Sequence, residues 1–545
     1  MAGSLILLNA RLWSPDGAGP GAGAIVAEGD RISALTTTAQ ARSLARPGAR
    51  VIDLGGRLAI PAFGDAHVHP VGGGLESLRC NLAGLRTRAG YLRVIADHAR
   101  TLEPDGWVLG GGWSMEAFPG GLPVATDLVA VAGGRPVFLP NRDHHSAWVS
   151  PAALARAGIT RDTPDPADGR IERDASGAPA GTLHDGAMRL VSRLIPPPAP
   201  AELAAGLRAG QQHLHALGIT HWQDAIVGDA PDIGIPDAFG TYCAAAAQGW
   251  LTAQVNGALW WDRRAGLGQL PGLLARRRQA PGGTFRATSV KMMLDGVCET
   301  LTAAMTEPYA GRAGHTHRGE LFVSQPEAAE AVRLLSREGF QVHFHAIGDR
   351  AVHAALDAVA GVPADDLRHH VAHLQFIRPE DLDRFAGLGV VANFQPLWAT
   401  HDPQMQELTL PFVGPERARW QYRIGTLARR GARLAFGSDW PVSSADPLQQ
   451  IHVAVNRVLS PRLGRPGTPE TERPFLAAEA VPLSQAVAAF TSGVAHINHR
   501  ERELGSLRPG YRADIAVLSQ DIFARPAAEI GDARVDLTIA GGRVV

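Results

Sequence analysis

The chain has 545 residues, 45% of them hydrophobic, with a formal net charge of −1 and a mean hydropathy of −0.04. That length is too great for one small domain but suits an α/β barrel carrying insertions. The near-neutral charge gives no footing for nucleic-acid or membrane-surface binding. Three widely spaced cysteines, Cys80, Cys243 and Cys298, fit a reduced cytoplasm better than a disulfide framework or a thiolate zinc site.

The opening MAGSLILLNARL lacks a basic leader segment and reads as a first β-strand rather than a signal peptide. Residues 1–59 hold short β-type runs separated by Gly and Asp turns, and the C-terminal ADIAVLS and VDLTIAGGRVV have the same texture. Between these ends, eight apolar runs alternate with helical patterns: 58–69, 218–225, 251–261, 288–296, 340–349, 367–376, 389–396 and 433–442. Eight strand–helix units imply a (β/α)8 barrel over 60–506. The long stretch between the first two runs implies an inserted subdomain over about 75–205, closed by the stiff IPPPAP at 195–200. No apolar stretch approaches the roughly 20 residues that span a bilayer.

The first run ends in DAHVHP. Residues two apart on a strand share a face, so His67 and His69 project side by side. Such a pair is either buried and hydrogen-bonded, or two neutral imidazoles aimed at one metal ion. Other polar residues stand at the C-terminal ends of later runs: Lys291 on the fourth, His345 on the fifth, His373 on the sixth and Asp439 on the eighth. Barrel enzymes build their sites at that end, and each of these groups is costly to bury without a partner.

DAHVHP, VKMMLDG, HAIGDRAV, VAHLQ and GSDWPV together resemble the amidohydrolase superfamily, in particular its branch of N-substituted formamide deformylases and related metal-dependent hydrolases. PGYRADIAVLS is similar to that family's closing segment. The resemblance covers essentially the whole chain and implies that 1–59 and 507–545 pair into one small β-sandwich. It implies further that His67, His69, His345, His373 and Asp439 are metal ligands, and that Asp439 takes the proton of the attacking water. Lys291 stands where the superfamily often has a carboxylated lysine bridging two metals. Desolvation beside a cation would lower its pKa and let a neutral amine take up CO₂; the alternative is an unmodified lysine beside a single metal. One or two Zn²⁺ ions are expected per chain, with Mn, Fe or Co admissible.

His145, in DHHSAWVS, resembles the family's histidine that reaches the site from the insertion, as donor to the substrate carbonyl or as a loop residue. His144 and Asp185 depart from the family pattern, and no role is carried over to them. Trp113 and Trp398 are expected as pocket walls. Asp295 is expected either to hold the substrate amine or to cap its loop. His315 and His317 form a second HxH on an expected surface loop, and His343 is expected one layer deeper than His345. His213 and His215 fall on a helical pattern where i and i+2 do not face each other. The implied activity is hydrolysis of a non-peptide C–N bond. An ester, lactone or carbamate hydrolase, or a silent binding protein on the same fold, are the alternatives. The expected partner is a small-molecule substrate, with no nucleic acid or membrane; a homodimer is an admissible assembly, and the expected location is cytoplasmic.

Overall fold

A computed structural model describes residues 3–17, 21–231, 233–310, 316–363 and 366–545. The first apolar run proves to be two strands. Leu58–Pro61 runs antiparallel to Ile515–Leu518, and Phe63–Val68 begins the barrel. All residues from Leu58 to Pro70 are buried, so no period-2 alternation marks the break at Ala62.

The pairing of Leu58–Pro61 with Ile515–Leu518 joins the two ends of the chain in one eight-stranded sheet. There the side chains do alternate. Leu5, Leu7, Ile25, Ala27, Ile515 and Val517 pack in one cluster, while Ile6, Leu8, Ala24 and Val26 pack in another with Ala41.

The remaining seven runs supply Ile219–Val227, Gln254–Trp260, Phe285–Met293, Gln341–Ala346, His370–His373, Val391–Phe394 and Leu434–Phe436, all parallel and in chain order around a nearly closed barrel. Closure is made just past the strand ends. The Asp439 N–H donates to the His67 carbonyl at 2.7 Å, and the His69 N–H donates to the Trp440 carbonyl at 2.9 Å. Helices cover the outside. In Gln325–Arg337 the buried Ala328, Ala331, Val332 and Leu335 form one stripe toward the barrel, and Ser324 caps its start by accepting from the Glu327 N–H.

Between the first and second barrel strands, residues 80–185 form a six-stranded sheet of their own, from Cys80–Asn81 to Pro179–Asp185. Its core is aromatic: Tyr91, Trp113, Phe118 and Trp148. The chain returns through the largely exposed Pro196–Ala199 into the helix Pro200–Ala216. Among the described residues, no helix is long and apolar enough to cross a membrane.

Pro200–Ala216 lies against the helix Pro70–Leu78 that follows the HxH pair. Their approach needs glycine: a Cβ at Gly74 would sit 1.9 Å from the Gly206 carbonyl oxygen, and one at Gly210 would sit 2.2 Å from that of Pro70. Gly74→Ala should therefore lower unfolding stability by about 1–3 kcal/mol, as overpacking does. Gly272→Ala, on an open helix surface, should be neutral or stabilising by up to about 1 kcal/mol. Paired thermal melts check this, and equal shifts for both variants would contradict the close packing.

Candidate metal centre

The barrel's C-terminal end gathers four histidines around one carboxylate. His67 comes from the first strand, and His69 stands immediately before the Pro70–Leu78 helix, their rings 5.3 Å apart. Asp439 Oδ1 lies 3.0 Å from His69 Nε2 and 3.3 Å from His67 Nε2. His373 Nδ1 is 4.0 Å from Asp439 Oδ2, and the His345 ring is 4.5 Å from that of His373. Ligand atoms of His67, His373 and Asp439 all lie within 4.8 Å of one another, and the three residues are buried.

Two of these residues hold left-handed backbone, His373 at φ 76° and Asp439 at φ 57°. Such conformations cost about 1–3 kcal/mol each outside glycine, and they aim both side chains inward.

Asp65 explains how Asp439 is held. Buried in the first strand, its Oδ1 accepts the backbone N–H groups of His67 and Ser438 at 3.0 Å, and its Oδ2 accepts the Ser438 hydroxyl at 2.5 Å. It therefore ties the HxH strand to the Asp439 turn. Sequence reasoning missed this residue, although it sits inside the DAHVHP motif. His343 lies one layer below, its Nε2 2.9 Å from His67 Nδ1, which leaves His67 Nε2 facing Asp439.

The donor set fits a divalent cation. The Nδ1 atoms of His69, His345 and His373 and the Nζ of Lys291 are buried without a hydrogen-bond partner among the described residues; His345 Nδ1 lies 3.3 Å from Asp295 Oδ1. Burial, aided by the Lys291 charge, pushes His67 down to about 3. Burial also holds His345 and His373 well below the usual imidazole range, so all three rings are neutral as ligands must be. Burial opposes ionisation of Asp439, but His67 and the neighbouring rings hold its carboxyl well below the usual range.

Lys291 is buried among these groups, and burial pushes its amine down to about 7 against the pull of Asp439. It is also the only lysine in the chain; the other 51 basic residues are arginine. Guanidinium cannot be deprotonated in a protein, whereas a desolvated amine can. That count was available in the sequence and is a stronger signal than the motif alone.

From the insertion, His145 lines the same cavity. Its Nδ1 is 2.6 Å from Asp185 Oδ1, and the Asp185 N–H donates to the His145 carbonyl at 3.1 Å. Asp185, given no role from sequence, thus orients His145. Burial disfavours the imidazolium, but Asp185 outweighs it and raises the pKa. His144 has its own partners, with Nε2 2.8 Å from Glu76 Oε1 and Nδ1 3.1 Å from the Ile233 carbonyl oxygen.

Asp295 accepts three backbone N–H groups, from Ala304, Ile347 and Gly348, at 2.8–3.0 Å. It is spent on fixing loops behind His345. Trp398 stacks on His373, centroids 5.2 Å apart and planes 4° from parallel, and forms a cavity wall. Trp113, expected as a wall, is instead fully buried in the insertion core, where its indole N–H donates to the Leu139 carbonyl. Of the aromatic rings packed there, Phe118 is local, while Tyr91 and Trp148 come from other segments of the insertion. His317 is exposed, with Nε2 2.7 Å from the Leu301 carbonyl oxygen; His315 lies outside the described residues. His215 bridges the Ile219 carbonyl and Thr252, and His213 stacks on Trp440.

The inner cavity holds about 60 Å³ and meets an outer one of about 380 Å³ along a shared wall that includes Asp143, Val297, Trp398 and Pro441.

Residues 50–545 match the profile of the Amidohydrolase family. The chain is 30% identical over 509 residues to "Putative amidohydrolase YtcJ" of Bacillus subtilis, covering 92% of this chain and 91% of that protein. It is 26% identical over 559 residues to "N-substituted formamide deformylase" of Arthrobacter pascens, covering 99% and 97%. Among solved structures, an uncharacterized metal-dependent hydrolase from Pyrococcus furiosus superposes with a TM-score of 0.69 at 25% identity, covering 95% of this chain and 99% of that one.

Purified protein should carry about one to two equivalents of divalent cation and lose thermal stability when a strong chelator strips it, because a ligand bound only by the folded state stabilises that state. Elemental analysis with a melt before and after chelation measures both. A metal-free protein whose melt is unchanged by added zinc would remove the metal assignment.

Proposed function

The chain belongs to the amidohydrolase family, and from that premise we propose that it is a metal-dependent hydrolase cleaving the C–N bond of an amide, N-formyl or cyclic amide. The observation that carries this reading is Asp439. Its Oδ1 meets two imidazoles, while its Oδ2 accepts no hydrogen bond among the described residues. This arrangement supports a division in which one oxygen holds a cation and the other takes a proton. The N-formyl class is supported by the relative named for formamide deformylation.

His67, His69, His345, His373, Asp439 and Lys291 would hold the cation, and nitrogen and oxygen donors of this kind suit zinc. When bound, a divalent cation supplies a Lewis acid for water and for a carbonyl. Asp439, kept ionised, accepts the proton of the attacking water as its oxygen bonds to the carbonyl carbon. The same proton passes to the leaving nitrogen as the C–N bond breaks, giving a carboxylic acid and an amine. His145, oriented through Nδ1 by Asp185, presents Nε2–H to the developing oxyanion. Trp398 walls the substrate and helps to exclude water.

Asp439→Asn keeps the size and one coordinating oxygen but cannot accept the proton. It should fold and keep much of its metal, while kcat on the best substrate from a panel of N-formyl amines, acyl amides and cyclic amides falls by roughly 10²–10⁴-fold. Metal content and kcat are to be read on one preparation. Full metal with near wild-type kcat would refute the catalytic role.

Lys291 is read as carboxylated: the neutral amine's lone pair bonds to the carbon of CO₂, a proton leaves, and the carbamate offers two oxygens to metal. Since the chain has one lysine, protein equilibrated with ¹³C-bicarbonate should show a side-chain carbamate resonance that Lys291→Ala abolishes. A spectrum identical in wild type and variant would mean that the lysine is unmodified.

A further inference from the structure

The outer cavity has a chemical character that the inner one lacks. Five carboxylates line it, from Glu116, Asp143, Glu299, Asp402 and Glu470, against the guanidinium groups of Arg86 and Arg142. Both arginines are engaged with neutral acceptors, Arg86 with the Leu463 carbonyl and Arg142 with Gln404 Oε1. Among the described residues, none of the five carboxylates has an ion-pair partner within 4.0 Å; each accepts instead from a neutral donor, Glu116 from the Ser114 hydroxyl, Asp143 from the His145 N–H, Glu299 from the Thr409 hydroxyl, Asp402 from the Met405 N–H and Glu470 from the Arg465 N–H. Burial accordingly pushes Glu299 up to about 7 and Asp402 up to about 6. Carboxylates held by neutral donors alone still lack a counter-charge, which a cationic ligand would supply.

A second observation is independent of the charges. Tyr422 and Thr400 also line this cavity, 3% and 1% exposed, and neither hydroxyl has a hydrogen-bond partner among the described residues. With the rest of each side chain buried and its hydroxyl unpaired, two such groups lining one cavity mark a place for a polar ligand. The ligand is not a bare metal ion. Among the described residues, the His67–His373–Asp439 group is the one set of His, Cys, Asp and Glu that converges tightly enough for an ion. The outer carboxylates are instead spread around about 380 Å³, with the Trp398 and Trp440 side chains in the wall. Spread carboxylates beside aromatic walls suit an organic cation, which aromatic faces also attract.

We propose that the outer cavity is the subsite for a positively charged nitrogen of the substrate, an ammonium group a few bonds from the scissile carbonyl. This rests on the hydrolase reading above, because the two cavities share a wall and one molecule must reach from one into the other.

Three N-formyl probes of matched length test it on the metal-loaded full chain: N-formyl butanediamine, N-formylpentylamine and N-formyl-γ-aminobutyric acid. Binding by calorimetry and kcat/KM are measured for each. The cationic probe should bind and turn over at least about ten-fold better than the neutral one, as a charge-assisted contact requires, with the anionic probe weakest. Glu299→Gln and Asp402→Asn should each shrink the cation-to-neutral ratio, and in wild type the ratio should fall with added salt. Equal binding of cationic and neutral probes, or a ratio unmoved by both variants, overturns the proposal. Preferred binding of the cation without turnover upholds the subsite and removes the amide reading. Turnover with no charge preference does the reverse.

Discussion

Everything at the mouth of this barrel depends on burying the charge of Asp439. A carboxylate 5% exposed cannot stay ionised unless its surroundings replace water. Here His67, His69 and His373 do so, delivered by the ends of the first and sixth strands. The same residue lies at the seam where the last strand meets the first, so the contact that closes the barrel also assembles the site. Asp65 makes the coupling explicit. Its two oxygens hold the backbone of His67 and the Ser438 turn, so the spacing of His67 to Asp439 is fixed by a hydrogen-bonded clamp rather than by side-chain packing.

The inner and outer cavities follow opposite charge logic. The inner one is lined by the neutral imidazoles of His67, His345 and His373, the desolvated amine of Lys291, a histidine held toward its cationic form by Asp185, and the Asp439 carboxylate. The outer one is lined by carboxylates. Asp143 stands on the boundary, directly before His144 and His145. All three come from one turn of the insertion, which therefore completes the inner cavity and also edges the outer one. A six-stranded sheet is a large device for delivering one loop. Its aromatic core gives that loop a rigid base, which a linker of similar length over the barrel mouth would lack.

Much of this was legible in the chain. All eight apolar runs hold barrel strands, and the polar residues at their ends converge, because a parallel strand buried on both faces reads as an uninterrupted apolar run and a barrel active site must lie at its C-terminal rim. What was not legible has a common cause. The Asp65–Ser438 clamp spans 373 residues and the His145–Asp185 pair spans 40. Pairings at such separation carry no local periodicity. The break at Ala62 was hidden for the opposite reason: two different sheets bury the residues on either side of it equally well. Trp113 was misplaced because a glycine-rich loop signals backbone freedom and says nothing about which distant aromatics will cover it.

Composition carried one signal that motif reading passed over. A chain that uses arginine at 51 basic positions and lysine at one has, at its surface, settled every choice between the two in the same direction. Only at position 291 is an amine kept, and there it is 2% exposed with no hydrogen-bond partner among the described residues. Solvation, salt bridges and phosphate or carboxylate recognition all tolerate or prefer guanidinium. What guanidinium cannot do is surrender its proton and act as a nucleophile in a dry cavity. The exception supports the proposed amine chemistry at this one position, and its neighbours bear on the cost. Protonated Lys291 would add a cation to a ring of imidazoles already held neutral, raising the field against any metal. Deprotonated, it leaves Asp439 as the single fixed charge in the ring. Burial pushes the amine down to about 7, so the neutral form is within reach near neutral pH.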